Sequence, residues 1–388
     1  MLSWWQVLAL LGALQGVTIA PALLARRTSR TPNRLLAALV LVLSLHLAAV
    51  VYYTADLVPQ APHLFGLTQP LPFLFGPLVY LYAVTLSDRA RGLRRQDLLH
   101  LLPFVAVVLW GLPILLQDAD AKVAMFRAIQ GGWAPMQAVV TDPLKPLSGI
   151  AYTLATVLVV QRHQRVIAEN YSTLDRVNLR WLQWLTLASG GVWLLAAVSE
   201  IAWQGGWLLP ITGDLLIAIG TSLLICGVGY WGIRQPEIVR FATDEHPIAP
   251  TPAAPPAEPD PMEQRYERSG LQPREAEALT ARLVAVMDAE RPYRQADLTL
   301  GDLAERVGTT PHRLSEVLNS QLGVSFYDFV NGYRVREVQS RLVGPDGARL
   351  TYLAIALEAG FASKSTFNAA FKKLTGMTPS AYRASRLS

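Results

Sequence analysis

Polar side chains recur on the outward face of two predicted helices near the C-terminus. Hydroxyl, amide and cationic groups of this kind hydrogen-bond to base edges in DNA grooves or hold backbone phosphates. We therefore predict that both faces contact double-stranded DNA, the alternative being an ordinary solvated surface. The candidates are His312, Ser315, Glu316 and Asn319 in the first helix, and Lys364, Ser365, Asn368, Lys372 and Lys373 in the second.

Three ionisable residues, His46, Glu200 and Asp214, lie within or near long apolar stretches of the first half. Ionisable groups are costly inside a bilayer and often mark function. All three are therefore candidates for sensing a signal ligand. Glu200 is the acid that lies deepest within a predicted membrane span. The alternative for Glu200 and Asp214 is solvation by water at the outer boundary.

The remaining motifs argue against catalysis and against a bound cofactor. The six histidines are scattered and Cys226 is the single cysteine, so the sequence shows no metal site. The spacing GxGxxG is present at Gly227, Gly229 and Gly232. A dinucleotide-binding motif follows a strand and opens a helix, whereas these glycines lie at the end of an apolar helix with no strand before it. No GxSxG elbow or paired-acid motif is present. We predict no enzyme activity, no metal and no cofactor.

An internal repeat positions the two polar faces. Each copy is predicted to form a short helix, a glycine turn and a second helix. Thr299 and Thr351 are placed to cap the first helices, and Thr310 and Ser363 the second ones. The apolar positions of the first copy are Leu300, Leu303, Ala304, Val307, Leu314, Val317 and Leu318, matching Tyr352, Ile355, Ala356, Ala359, Phe367, Ala370 and Phe371; Leu374 extends the second apolar face.

One helix, residues 325–342, is predicted to connect the copies. Its length of roughly 27 Å can set the second helices in successive major-groove turns, about 34 Å apart. Residues 334–388 hold nine Lys/Arg against three Asp/Glu, whereas residues 271–333 hold six against nine. The second copy should therefore supply most of the attraction to phosphate.

The first half has the composition of a membrane protein. The whole chain is 52% hydrophobic and 16% charged, and a bilayer-spanning helix needs about 20 mostly apolar residues. Gly12, Gly16 and Ala20 fit a small-xxx-small pattern for close helix packing. Seven stretches qualify as spans, at about 4–24, 35–55, 71–87, 98–117, 144–160, 181–203 and 211–233.

Arginines alternate between the loops that join these stretches. Loops 26–34, 88–97 and 161–180 each hold four arginines, whereas loops 56–70 and 205–210 hold no Lys or Arg. The remaining loop, 118–143, holds only Lys122 and Arg127, beside three aspartates. Because short loops rich in Lys and Arg stay in the cytoplasm, the N-terminus is predicted to lie outside and the C-terminal part in the cytoplasm.

The predicted domains are a seven-helix membrane sensor (1–233), a cytoplasmic linker (234–270) and a DNA-binding domain (271–388) with helix-turn-helix units at about 299–322 and 351–375. Residues 241–262 contain seven prolines, and such a segment favours a semi-stiff, extended tether. The fold class is all-α: a seven-helix transmembrane bundle, the linker, and an all-helical DNA-binding domain.

The C-terminal residues resemble the AraC/XylS family of bacterial transcription regulators. The resemblance covers roughly residues 290–386, through LAERVGTTPHRLSEVLNSQLGVSFYDFVNGYRVREVQSRL and IALEAGFASKSTFNAAFKKLTGMTPSAYR. It implies a cytoplasmic DNA-binding module that usually activates transcription, often as a homodimer and coupled to ligand sensing, with RNA polymerase as a further partner. By position it implies His312, Ser315, Glu316, Lys364, Ser365 and Asn368 as the base-facing residues.

Two departures from the family pattern stand out. Glu316 and Ala369 occupy positions where the family often has a basic residue, and a glutamate repels phosphate, although it can accept from cytosine N4. The N-terminal half resembles the multi-spanning domain of a membrane-anchored subset of these regulators.

The sequence thus favours a membrane-bound, DNA-binding transcription regulator, an activator by resemblance, whose partners are double-stranded DNA, the lipid bilayer, a second copy of the chain and an unidentified signal ligand. One alternative is a membrane transporter or enzyme with a regulatory C-terminal domain, although no charged pathway or catalytic constellation is visible. A second alternative is a helix-turn-helix pair that has become a protein-interaction module, which Glu316 makes conceivable.

Overall fold

The computed structural model describes residues 2–26, 30–88, 91–173, 179–205, 213–234 and 272–387. The proline-rich segment 241–262 and the loop arginines Arg27, Arg89 and Arg176 lie outside the described residues. The described part is helical and contains no strand, so the all-α class is confirmed. The chain divides into two compact units, one of residues 1–163 and 179–237, the other of residues 164–178 and 238–388.

The first unit is built from long apolar helices. They are α1 (Trp4–Ala25), α2 (Arg30–Thr54), α3 (Pro72–Ser87), α4 (Leu102–Leu115), α5 (Ala119–Gln130), most of α6 (Met136–Asn170), α7 (Arg180–Gln204) and α8 (Gly213–Arg234). Two 3-10 helices, Pro62–Leu64 and Arg95–Leu101, precede α3 and α4.

Six of these helical stretches are long and apolar enough to cross a membrane, and α3 is shorter at 16 residues. Its length of about 24 Å falls short of the roughly 30 Å hydrocarbon core. Pro72 starts α3 because a proline fits the first helical turn, and most of the helix is buried. In contrast, α4 has no buried residue and shows apolar side chains all round.

Small residues and hydroxyls allow close packing in this unit. A Cβ at Gly12 would lie 2.5 Å from Ser222 Oγ of α8, and one at Gly16 would lie 2.0 Å from Ser44 Oγ of α2. The hydroxyls of Ser44 and Ser222 donate to carbonyls four residues earlier in their own helices. The small-residue stripe of α1 therefore packs within the chain, and Gly229 likewise packs closely, against Ile19.

The predicted outer loop at 118–143 is largely helical. It contains α5, capped by the Asp118 carboxylate, which accepts from the Ala121 amide at 2.8 Å. Helix α6 then begins at Met136, before the predicted start at 144, and continues to Asn170. The apolar period marks only the middle of this helix, because its ends carry polar residues that the span criterion leaves out.

The second unit contains the residues of the predicted DNA-binding domain. Its helices are α9 (Pro273–Ala289), α10 (Leu300–Val307), α11 (Pro311–Ser320), α12 (Phe326–Val343), α13 (Asp346–Arg349), α14 (Tyr352–Glu358), α15 (Lys364–Thr375) and α16 (Pro379–Leu387). A 3-10 helix, Pro292–Arg294, follows α9. Helix α12 has 18 residues and confirms the predicted connecting helix with a shift of one residue.

Two hydrophobic cores share α12. Phe326 and Val330, in its first half, are buried in a core with α9, α10 and α11. Val335, Val338 and Leu342, in its second half, are buried with residues of α14 and α15. Helix α12 thus joins two small cores, one for each copy of the repeat.

Candidate nucleic-acid interface

Hydroxyl caps start all four helices of the repeat. The side chains of Thr299, Thr310, Thr351 and Ser363 accept from backbone amides three residues later. Such a cap satisfies one of the amides that a helix start leaves without an intrahelical partner. All four predicted caps are therefore confirmed.

Glycines close the turns at equivalent positions in both copies. Gly308 and Gly360 follow the first helices with φ of +71° and +97°. Gly323 and Gly376 follow the second helices with φ of +65° and +74°. Side chains other than glycine rarely adopt these angles, so the repeat in the sequence is also a repeat in backbone conformation.

In the first copy, the structure separates the predicted residues into exposed and half-buried groups. His312 and Asn319 are exposed on α11, and the Asn319 amide donates to Ser315 Oγ at 3.3 Å. Ser315 and Glu316 are half-buried. The Glu316 Oε2 atom is buried and has no hydrogen-bond partner among the described residues. This oxygen is therefore shielded from solvent on α11.

In the second copy, the predicted residues form an exposed polar surface. Lys364, Ser365, Asn368 and Lys372 are all exposed on α15. Lys373 is also exposed, but its ammonium group lies 2.6 Å from Asp328 Oδ1 in an ion pair. The expectation that Leu374 is buried was wrong, since it is 47% exposed. The apolar face ends at Phe371 because α15 ends at Thr375 and Leu374 lies beyond the core.

Exposed arginines extend the basic surface beyond the predicted set. Arg313 is exposed beside His312 on α11, and Arg349 is exposed just before α14. Arg336 is exposed on α12, with its guanidinium 4.1 Å from the centre of the Tyr333 ring. The excess of basic residues after position 334 signalled such a surface, but no periodic pattern singled out its members.

The sequence also gave no signal for Arg334, which is fully buried on α12 between the two cores. Its Nε donates to Tyr293 O at 2.6 Å, and its Nη2 donates to Gln295 O at 2.7 Å. Burial lowers the pKa of Arg334 to about 10, which still leaves the guanidinium charged at neutral pH. Backbone carbonyls therefore compensate a buried charge where the two copies meet.

The candidate sensing residues lie in the first unit. His46 on α2 is half-buried, with its ring 5.3 Å from that of Phe75 in an edge contact. Glu200 is half-buried near the end of α7. The side chain of Asp214 lies outside the described residues. Across the ranges that the structure describes, no three His, Cys, Asp or Glu side chains are grouped to hold a metal.

Comparison with known proteins bears on the second unit. Residues 303–385 match the family model described as a helix-turn-helix domain. They contain the AraC-type form of this domain. The matched region begins inside α10 and ends inside α16, so it covers most of the first copy, α12 and the whole second copy.

Relatives match the same region. An uncharacterized HTH-type transcriptional regulator of Staphylococcus aureus (strain COL) is 38% identical over 90 residues, which are 23% of this chain and 12% of the relative. The uncharacterized HTH-type transcriptional regulator YtdP of Bacillus subtilis (strain 168) is 32% identical over 94 residues, or 24% and 12% of the two chains. The chain thus spans about an eighth of the length of these curated relatives. No solved structure matches the chain. Together with the domain, these relatives support a DNA-binding regulator.

Proposed function

We propose that the protein is a membrane-bound transcription regulator that reads promoter DNA with α11 and α15 and activates transcription. The observation that carries this proposal is the pair of capped helices with exposed polar faces. Asn368 and Lys364 of α15 present an amide and a cation to solvent, groups that hydrogen-bond to bases and phosphates. In the first copy, His312 and Asn319 of α11 present an imidazole and an amide to solvent, which can hydrogen-bond to base edges.

The apolar helices of the first unit support a location in the bacterial inner membrane. Helix α4 exposes leucines and valines, with Leu109 at 60% and Leu116, its C-cap, at 81% exposure. A water-soluble protein rarely exposes apolar surface so continuously. The arginine-rich loops then favour a cytoplasmic C-terminal domain, where it can meet the chromosome.

A count of spans supports the same orientation without depending on α3. Residues 164–178 and the C-terminal part of the chain flank α7 and α8, which are two candidate spans. An even number of crossings returns the chain to the same side of the membrane. Residues 164–178 also belong to the same compact unit as residues 238–388, as this orientation requires.

Control is proposed to act through association. Two chains brought together in the membrane by an external or membrane-borne ligand would hold two helix-turn-helix domains at high effective concentration, multiplying DNA affinity without new contacts. His46, Glu200 and Asp214 remain the proposed sensing residues, and RNA polymerase the proposed partner of the bound dimer. Crosslinking in active and inactive cells should show different oligomeric states, and the same state in both would contradict this mechanism.

The DNA-reading role is tested on the full-length protein. Chromosomal sites of the intact protein are first mapped, and the recovered sequence is then bound to the protein in lipid nanodiscs. Asn368→Ala should cost about 1–3 kcal/mol of discrimination at one base pair. Lys372→Ala is the matched control, because losing a phosphate contact weakens binding to all sequences alike. If Asn368→Ala leaves the sequence preference unchanged, Asn368 does not read a base. If the intact protein binds no DNA, the proposed function is refuted.

A further inference from the structure

A short segment after α6 packs against the helix-turn-helix domain. We call Tyr171–Thr173 the docking segment. Tyr171 pairs with Thr299 in an isolated antiparallel bridge. The Ser172 amide and hydroxyl both donate to Leu298 O, at 3.3 and 2.7 Å. The Thr173 hydroxyl donates to Ala296 O at 2.5 Å. The segment therefore lies along residues 296–299 like a short added strand.

The other side of the docking segment meets α12. Arg334 donates through Nη1 to Ser172 O at 3.1 Å, and through Nη2 to Ser172 Oγ at 3.2 Å. The Asn331 amide donates to Ser172 O at 3.2 Å. Ser172 is completely buried. One serine thus satisfies part of a buried charge located between the two DNA-reading copies.

The site that receives Ser172 also holds together through its own bonds. Without the docking segment, Arg334 keeps its bonds to Tyr293 O, Gln295 O and Asn331 Oδ1. The Asn331 amide also donates to Tyr327 O at 2.8 Å. Because these groups retain acceptors and water can replace Ser172, the docking segment can leave without unfolding the domain.

We propose that the docking segment is an intramolecular ligand of the helix-turn-helix domain that restrains it until a signal releases it. The docked contact joins the domain to the end of α6, a candidate span. Once it is released, the connection would run through α7, α8 and the proline-rich tether, which lets the domain search a larger volume. A movement of α6 would then change DNA binding directly. The effect of release on DNA binding rests on the proposed DNA-binding function, whereas the contact between the docking segment and the domain does not.

A disulfide tests the contact independently of DNA. Residues opposed in an antiparallel bridge have Cα atoms about 4.5–5.5 Å apart, within the range that a disulfide spans. With Cys226→Ala removing the native thiol, Tyr171→Cys with Thr299→Cys should crosslink under mild oxidation in nanodiscs. The control pair is Tyr171→Cys with Ser380→Cys, an exposed position on α16. Crosslinking no greater than in the control would overturn the docking.

The oxidised protein tests the restraint. Affinity for the mapped DNA site should fall about tenfold when the disulfide locks the segment, and recover on reduction. Thr299→Cys alone is the control for the lost cap of α10, and its affinity should not respond to oxidation. Equal affinity of the oxidised and reduced double variants would overturn the restraint.

A charge change tests release from the opposite direction. Ser172→Lys places a second cation beside Arg334 and should expel the segment, raising DNA affinity about tenfold. Gln161→Lys adds the same charge at an exposed position of α6 and should leave affinity unchanged. Equal affinities for the two variants would overturn the proposal. Loss of DNA binding in the unaltered protein would instead count against the DNA-binding function.

Discussion

Lys372 and Lys373 are adjacent lysines that differ in what they contact. Lys373 is held by Asp328 at 2.6 Å, whereas Lys372 is exposed and no ion pair involves it in the described residues. A lysine that neutralises a phosphate releases about one counterion on binding. We expect Lys372→Ala to lower the slope of log affinity against log salt by about 1, and Lys373→Ala to lower it less.

The measurement is a salt titration of DNA affinity for the full-length protein in nanodiscs. Asp328→Asn frees Lys373 and serves as the matched variant, because it should raise affinity and steepen the salt dependence. Equal slopes for the two alanine variants would mean that the ion pair with Asp328 opens when DNA binds.

Arg334 is expected to contribute strongly to stability because it is a buried charge that donates to buried carbonyls. Arg334→Met leaves the carbonyls of Tyr293 and Gln295 without these donors in a buried site. Lost hydrogen bonds of this kind should cost about 3 kcal/mol. Backbone amides of α12 should then exchange hydrogen about a hundredfold faster, if exchange follows unfolding of the domain. Arg313→Met, on an exposed residue, is the control and should change exchange little.

At the scale of helices and turns, Gly360 is a position where an added methyl group meets both backbone strain and a close backbone contact. Its φ is +97°, and a Cβ there would lie 2.3 Å from Tyr293 O and 2.8 Å from Arg294 backbone atoms. Gly376 has a similar φ of +74° but open space around it. Gly376→Ala should therefore cost only the strain of about 1–2 kcal/mol, whereas Gly360→Ala should cost about 4 kcal/mol or more.

Hydrogen exchange of α14 and α15 checks this pair in the full-length protein. A similar loss of protection in both variants would show that the backbone near Tyr293 moves to accept the methyl group. Because Gly360 contacts the segment after α9, the larger loss is expected to extend to residues 292–298 as well.

The sequence predicted the parts of the fold that local chemistry determines. Caps such as Thr310, turn glycines such as Gly308 and the ends of α12 depend on neighbours within a few residues, and the structure confirms them. The burial of Arg334 depends on contacts with Tyr293 and with Ser172, far away in the chain. No periodicity encodes such contacts. The pairing of Lys373 with Asp328 was missed for the same reason.

At the scale of the whole molecule, the division into units differs from the predicted domains. Residues 164–178 belong with the C-terminal unit, although the sequence assigned them to the membrane domain. These residues comprise the end of α6 and the segment that follows it, and the sequence of neither part indicates which unit it packs against. The difference matters for experiments, since a fragment beginning after the tether lacks Ser172 and should not respond to changes in α6.

The proline-rich tether gives the last prediction. Residues 241–262 contain seven prolines, and as polyproline II they would reach about 70 Å. If they act only as a spacer, scrambling their order at constant composition should leave DNA affinity and its response to the signal unchanged. Doubling their length should weaken binding by two associated chains about threefold, because effective concentration falls with the −3/2 power of length.

Affinity of full-length variants in nanodiscs measures both effects, with the scrambled tether as the control for the doubled one. A scrambled tether that abolished the response would mean that this segment transmits a specific structure, and the signal would then not depend on association or on the docking segment alone.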